Sequence, residues 1–156
     1  FGPLLTLGTG FAIANETILL YSNEFYNLLF LGVPIGLLTT NILFINQYPD
    51  HASDKISGKN HLVVLLGKKA SRWIYALNLV LALSSLYFIA ENVLVGTKQM
   101  LFLYVLIPIS MFYSYFLLSG LFKYYNSRKL IKYNIHTIYF HMLFSFIYMI
   151  ILANFQ

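Results

Sequence analysis

Asn46-Gln-Tyr-Pro-Asp50-His-Ala-Ser-Asp54-Lys55-Ile-Ser-Gly58-Lys59 is a polar island in a chain that is otherwise strongly apolar. The chain has five acidic residues, and two of them sit here, four apart. A helix brings positions i and i+4 onto one face. Asp50 and Asp54 then form a paired-carboxylate surface, with Asn46 one turn before them. Oxygen ligands of this kind suit Mg²⁺, which is usually held by one or two carboxylates plus substrate phosphates. Spacing alone leaves two readings open. The stretch is half of a diphosphate-handling site at a membrane surface, or its acids are solvated charges neutralised by Lys55 and Lys59.

Outward from this stretch, the composition is that of an integral membrane protein. Hydrophobic residues make up 59% of the 156, and charged residues only 10%, against about 25% in an ordinary soluble domain. Mean hydropathy is +0.72. Thirteen Tyr and fourteen Phe fit helices with interfacial anchors. Cysteine is absent, which excludes disulfides, thiolate metal sites and a cysteine nucleophile. The net charge of +5 does not indicate nucleic acid, because the basic residues occupy two short stretches between apolar spans, as cytoplasmic loops do. The chain opens on Phe1 with no basic region before its apolar residues, which argues against a signal peptide and reads as a cut through a longer chain.

The expected fold is all-α, a polytopic transmembrane helical bundle in one membrane domain. Spans are expected at about 1–14 (partial), 27–47, 72–90, 100–122 and 135–154. Pro34 and Pro108 are expected to kink their spans, since proline removes a backbone donor. Thr39, Thr40 and Asn41 either bond to neighbouring helices or line a polar cavity. Leu62 to Leu66, closed by Gly67, is too short to cross and is expected to dip into the interface or to cover the site. Trp73 and Tyr75 open the next span at headgroup level. The polar stretches at 15–26, 47–71, 91–99 and 123–134 hold none, five, one and four basic residues, the second count including Arg72. Positive charge marks the cytoplasmic side, so the Asp50/Asp54 stretch and 123–134 are expected there.

Other chemistry is sparse. Gly58-Lys59 offers a flexible backbone point and a cation able to reach a diphosphate oxygen, or simply a turn with a positive-inside lysine. Lys68, Lys69 and Arg72 read as anionic-lipid contacts. His136 and His141 are five apart and do not share a metal-binding face. No Ser/His/Asp set, phosphate-binding glycine loop or zinc motif is visible, and no catalytic residue is named.

Taken together, Asn46-x-x-x-Asp50-x-x-x-Asp54-x-x-x-Gly58-Lys59 and Leu62-Val-Val-x-Leu-Gly67 resemble the second aspartate-rich motif of the UbiA superfamily of intramembrane prenyltransferases. Gly32-x-Pro34-x-Gly36-Leu37-Leu38 resembles the helix leading into it. Phe1-Gly2-Pro3-Leu4 and Leu7-Gly8-Thr9 look like the MenA branch, which prenylates 1,4-dihydroxy-2-naphthoate. The resemblance implies a fold of nine transmembrane helices around a cavity. This chain corresponds to the end of the fifth through the ninth, with the N-terminal half and the first aspartate-rich motif upstream. It implies Mg²⁺ held by Asp50 and Asp54, diphosphate binding by Asn46, Asp50, Asp54 and Lys59, a polyprenyl diphosphate donor, an aromatic acceptor and a bacterial-type cell membrane. Quinone biosynthesis is the implied setting, and the fragment alone is expected to be inactive. Tyr104, Phe112, Tyr113 and Tyr115 could shield a carbocation or simply pack. There are two departures from the family pattern: Asn60-His61 stands where Arg-Thr is usual, and Ala52 where an acid is usual. The alternatives are another acceptor (4-hydroxybenzoate, homogentisate or a lipid) or a transport or structural membrane module.

Overall fold

Ser22 starts the first long helix, its Oγ accepting the Phe25 N–H at 3.3 Å, the ordinary way to satisfy a helix N-terminus. The computed structural model describes residues 3–5, 8, 10 and 22–154. Helix α1 runs Asn23–Ile56, α2 Leu62–Asn92, α3 Gly96–Leu101, then a π-helical turn Phe102–Leu106, α4 Ile107–Tyr124 and α5 Leu130–Asn154. Among the described residues there is no strand. Residues 3–5, 8 and 10 are helical. The rest of the expected partial span 1–14, and the expected polar turn as far as residue 21, lie outside the described residues.

Four helical rods are long and apolar enough to cross a membrane: Asn23–Ile56, Leu62–Asn92, Gly96–Tyr124 and Leu130–Ala153. No more than a third of each apolar window is buried within the described bundle. α1 packs on α2 and α5, and α4 packs on the same two, which places α1 and α4 at opposite corners. Tyr75 reaches across the other diagonal. It is fully buried, and its hydroxyl donates to Thr137 Oγ1 at 2.8 Å, because the Thr137 proton is committed to Tyr133 O. Tyr75 is therefore not the headgroup anchor its position suggested, whereas Trp73 is exposed.

Several polar side chains inside the spans bond from helix to helix. Asn41 is fully buried, donates to Tyr75 O at 3.2 Å and accepts from Asn78 Nδ2 at 3.0 Å. Thr39 bonds Ile35 O and His141 Nε2, each at 2.9 Å. Thr40 bonds back to Gly36 O within its own helix. Tyr148 donates to Leu31 O at 2.8 Å, tying α5 to α1.

Helix ends differ from the expected loops. The rods carry through most of the polar stretches at 47–71 and 123–134, leaving only 57–61 and 125–129 between them. Pro34 and Pro49 both lie inside α1, which is unbroken across them. Pro108 follows the π turn, where Ile107 N–H bonds Phe102 O five residues back; the wider turn makes room for a proline ring that would otherwise press on the carbonyl four residues before it.

Candidate functional site

The turn after α1 is a helix stop built on Gly58. Gly58 N–H bonds Lys55 O at 3.4 Å and Lys59 N–H bonds Asp54 O at 3.0 Å, with Gly58 at φ 74°. This is the paired-bond arrangement that ends a helix on a left-handed residue, a conformation open to glycine at little cost. The backbone bond brings Lys59 back over Asp54, and its Nζ lies 2.7 Å from Asp54 Oδ1.

The other Asp54 oxygen is taken by His61, whose Nε2 is 2.9 Å from Oδ2. His61 is also the N-cap of α2, with Nδ1 accepting the Val64 N–H at 3.3 Å. With Nδ1 accepting, the ring hydrogen that faces the carboxylate is the one on Nε2. One side chain thus starts α2 and holds the last acid of α1. The sequence flagged His61 only as a departure from a family pattern. Its histidine at a cap position, seven residues after the acid, was the available signal.

α1 has 34 residues, about 51 Å at ~1.5 Å each, against a hydrocarbon core of roughly 30 Å. Its last turns, beyond residue 47, project past the apolar span. There the Lys59 ammonium and then the His61 N–H hold the Asp54 carboxyl below the usual carboxylate range, and Asp54 raises Lys59 above the usual lysine range. Asp54 is buried, but what covers it is its own hydrogen-bond partners.

Asp50 lies one turn earlier on the same helix and is exposed. Among the described residues no cation lies within ion-pair distance of it: the basic side chains that reach a carboxylate, Lys59 and His61, are both on Asp54. Asn46, a further turn back, accepts from Asn134 Nδ2 of α5 at 3.4 Å. The structure therefore places Asn46, Asp50 and Asp54 along one helix face and turns Lys59 onto it. Asp54 sits in the last turn of the helix, whose partial negative charge disfavours anions and favours cations nearby.

These residues fit a divalent cation only as part of a larger donor set. Among the described residues no three His, Cys, Asp or Glu side chains are grouped to hold a metal, and both Asp54 oxygens are engaged. Mg²⁺ commonly takes one or two carboxylates and completes its shell with phosphate and water; Asp50 has oxygens free for that.

The remaining candidates do not converge here. Tyr104, Phe112 and Tyr115 are 75%, 77% and 73% exposed on the outer surface of the described bundle. Tyr113 stacks on Phe140 at 4.9 Å and bonds His136 Nδ1 at 3.0 Å, inside the α4–α5 interface. Arg72 turns inward, its guanidinium 4.7 Å from both the Phe122 and Tyr125 rings. The piece 62–66 forms the first turn of α2, separated from the rest by Gly67 at φ 77°, ψ 156°. Val63 is buried there, while Leu62, Leu65 and Leu66 face outward.

The family model described as the UbiA prenyltransferase family matches residues 1–152. Nothing matches among curated proteins or among solved structures.

Proposed function

The chain belongs to the UbiA prenyltransferase family, and from that premise we propose that it transfers a polyprenyl group from its diphosphate to an aromatic acceptor at the end of the bundle bearing Asp50 and Asp54. The observation that carries this reading is the placement of two carboxylates one turn apart on the projecting end of α1, in a chain of that family. We assign this end to the cytoplasmic side, on the strength of its basic residues. The acceptor is of the 1,4-dihydroxy-2-naphthoate kind, in quinone biosynthesis, on the resemblance of residues 1–9 to that branch.

In the transfer, the allylic C1–O bond to the diphosphate breaks, a bond forms between C1 and a ring carbon of the acceptor, and a proton leaves the ring. Mg²⁺, when bound, supplies positive charge to the departing diphosphate. Asp50 and Asp54 would hold it, with Asp50 presenting the free oxygens. Asn46 flanks the anion. Lys59, anchored to Asp54, places an ammonium beside the incoming phosphates, where fixed positive charge counts most as the leaving group forms. A transport module would place its ionisable groups near the bilayer midplane, whereas these acids sit on a projecting helix end.

The test is prenyl transfer by the full-length protein in membranes, supplied with a polyprenyl diphosphate and in turn with 1,4-dihydroxy-2-naphthoate, 4-hydroxybenzoate and homogentisate, with products identified by mass. Activity should require Mg²⁺ and fall by about a hundredfold or more in Asp50→Asn and Asp54→Asn. Full activity in both variants at normal expression would remove the site from this reading, and transfer to 4-hydroxybenzoate alone would move the acceptor.

A further inference from the structure

The end of the bundle that carries the carboxylates also carries a second pocket, on a different face. At about 100° per residue, Tyr48 lies ~160° around α1 from Asp50. Between that side of α1, the start of the main α2 rod and the 125–129 turn is a cavity of about 400 Å³, lined by Tyr48, Lys68, Tyr125, Asn126, Ser127 and Arg128. A shallower cleft continues from it past Gly67 and Lys69.

Four observations give this pocket its chemistry. Lys68 and Arg128 bring two cations to it, and neither has an acid within ion-pair distance among the described residues, where the basic side chains that reach a carboxylate are Lys59 and His61. Tyr48 is fully buried, yet its hydroxyl has no hydrogen-bond partner. Behind Tyr125, the buried Nε–H of Arg72 is also unpartnered, while its guanidinium braces the Tyr125 ring. Ser127 adds a donor: its Oγ accepts the Lys129 N–H at 3.2 Å, leaving its own proton uncommitted. Buried polar groups are almost always paired in a complete structure. Here the surplus is one of donors and positive charge, and what satisfies both is an oxyanion with several acceptor oxygens.

We propose that this pocket binds a phosphate group, either the phosphodiester of an anionic lipid headgroup or free phosphate, at a site separate from Asp50 and Asp54. Lys68 and Arg128 supply the charge; Ser127 and Tyr48 supply hydroxyls. Its place at the end of an apolar bundle, beside the outward-facing Leu65 and Leu66, is where a headgroup lies when its acyl chains follow the helices. Basic pockets between membrane helices take lipid phosphates in this way.

The experiment titrates purified full-length protein with phosphatidylglycerol, with phosphatidylcholine, and separately with inorganic phosphate, reading bound lipid by native mass spectrometry and thermal midpoint for all three. Phosphatidylglycerol should bind more tightly than phosphatidylcholine. The double variant Lys68→Gln/Arg128→Gln should lose about thirtyfold in affinity, each cation near a charged membrane surface being worth roughly fivefold. Lys132→Gln, exposed and outside the pocket, should bind as the parent does. Tyr48→Phe should not lower the phosphate-free thermal midpoint and should tend to raise it, because a buried hydroxyl without a partner is unfavourable, and should weaken binding. Inorganic phosphate matching the effect of phosphatidylglycerol assigns the site to free phosphate; a response to the lipid alone assigns it to a headgroup. Equal binding by parent and double variant overturns the proposal. So does a double variant whose only change is a higher KM for the prenyl diphosphate, since the pocket would then belong to the transfer site. The binding readout is independent of prenyl transfer, so failure here and failure of the proposed activity are separate results.

Discussion

Asp54 and His61 are joined across the α1–α2 turn at 2.9 Å, and the same imidazole caps α2 through its other nitrogen. The two bonds are mutually dependent. The cap keeps Nδ1 unprotonated, and that puts the hydrogen on Nε2, where the carboxylate receives it.

His61→Asn separates these two roles. Asparagine is a strong helix cap but is too short to reproduce the reach to Asp54. The thermal midpoint should stay near the parent value, while the Mg²⁺ concentration giving half-maximal transfer shifts several-fold, because the Asp54 oxygen is no longer oriented. An unchanged Mg²⁺ titration would reduce His61 to a cap. His61→Ala should lower the midpoint as well.

The Asp54–Lys59 pair sets a pH window. Asp54 is lowered by Lys59 and His61, so its contribution to stability is present above the ordinary carboxylate range of about pH 4 and is lost as pH falls through the lowered value. Lys59 is raised by Asp54, so its contribution is present below the ordinary lysine range and is lost as pH rises through the raised value. The difference in thermal midpoint between parent and Lys59→Gln should therefore be flat around neutrality and close towards both extremes. A difference that persists unchanged into strong acid would show that the pair does not stabilise the turn.

Gly58→Ala tests the helix stop. Nothing lies near the position an added Cβ would occupy, so any cost comes from backbone at φ 74°. That cost is about 1 kcal/mol, and Gly58→Asn should lose less, since asparagine tolerates this conformation better. Alanine and asparagine behaving alike in thermal unfolding would argue that the turn relaxes to another shape.

Gly120 gives the opposite case, since its backbone is helical. A Cβ there would collide with the Tyr133 ring from α5, so Gly120→Ala should destabilise the bundle by roughly 1–3 kcal/mol. Tyr133→Phe keeps the ring and should not relieve it, whereas Tyr133→Leu should recover part of the loss. Recovery by phenylalanine would place the conflict at the hydroxyl.

The sequence made the four full spans legible because long apolar runs between charged stretches have few other meanings in a chain this apolar. The Asp50/Asp54 face was legible because α1 keeps its helical period past the apolar run. The helix ends were not. The first long span was expected to end near residue 47, with 47–71 a separate polar stretch, yet once the rod leaves the hydrocarbon nothing stops it until Gly58. Helix faces were also hidden. A helix apolar all round carries no stripe to say which side meets protein and which meets lipid, so Tyr104 and Tyr113 looked alike although one faces outward and the other is stacked in an interface. His61 was missed as a partner because its contact depends on the turn geometry, not on spacing along one helix.

The π turn at 102–106 fixes the phase of the span that follows. Phe102, Leu106, Ser110 and Ser114 are all buried, and they recur every four residues. In an uninterrupted α-helix a repeat of four gains ~40° at each step, and such a seam would wind away from its neighbours. One wide turn takes up part of that drift and keeps both halves of the rod facing the same helices. Counting residues therefore matters more here than spanning distance. Deleting one residue between 102 and 106 would let the wide turn close to an ordinary α turn with little change of phase, whereas deleting one residue from the regular helix just beyond it would swing everything after by about 100°, bringing Ser114 towards the acyl chains.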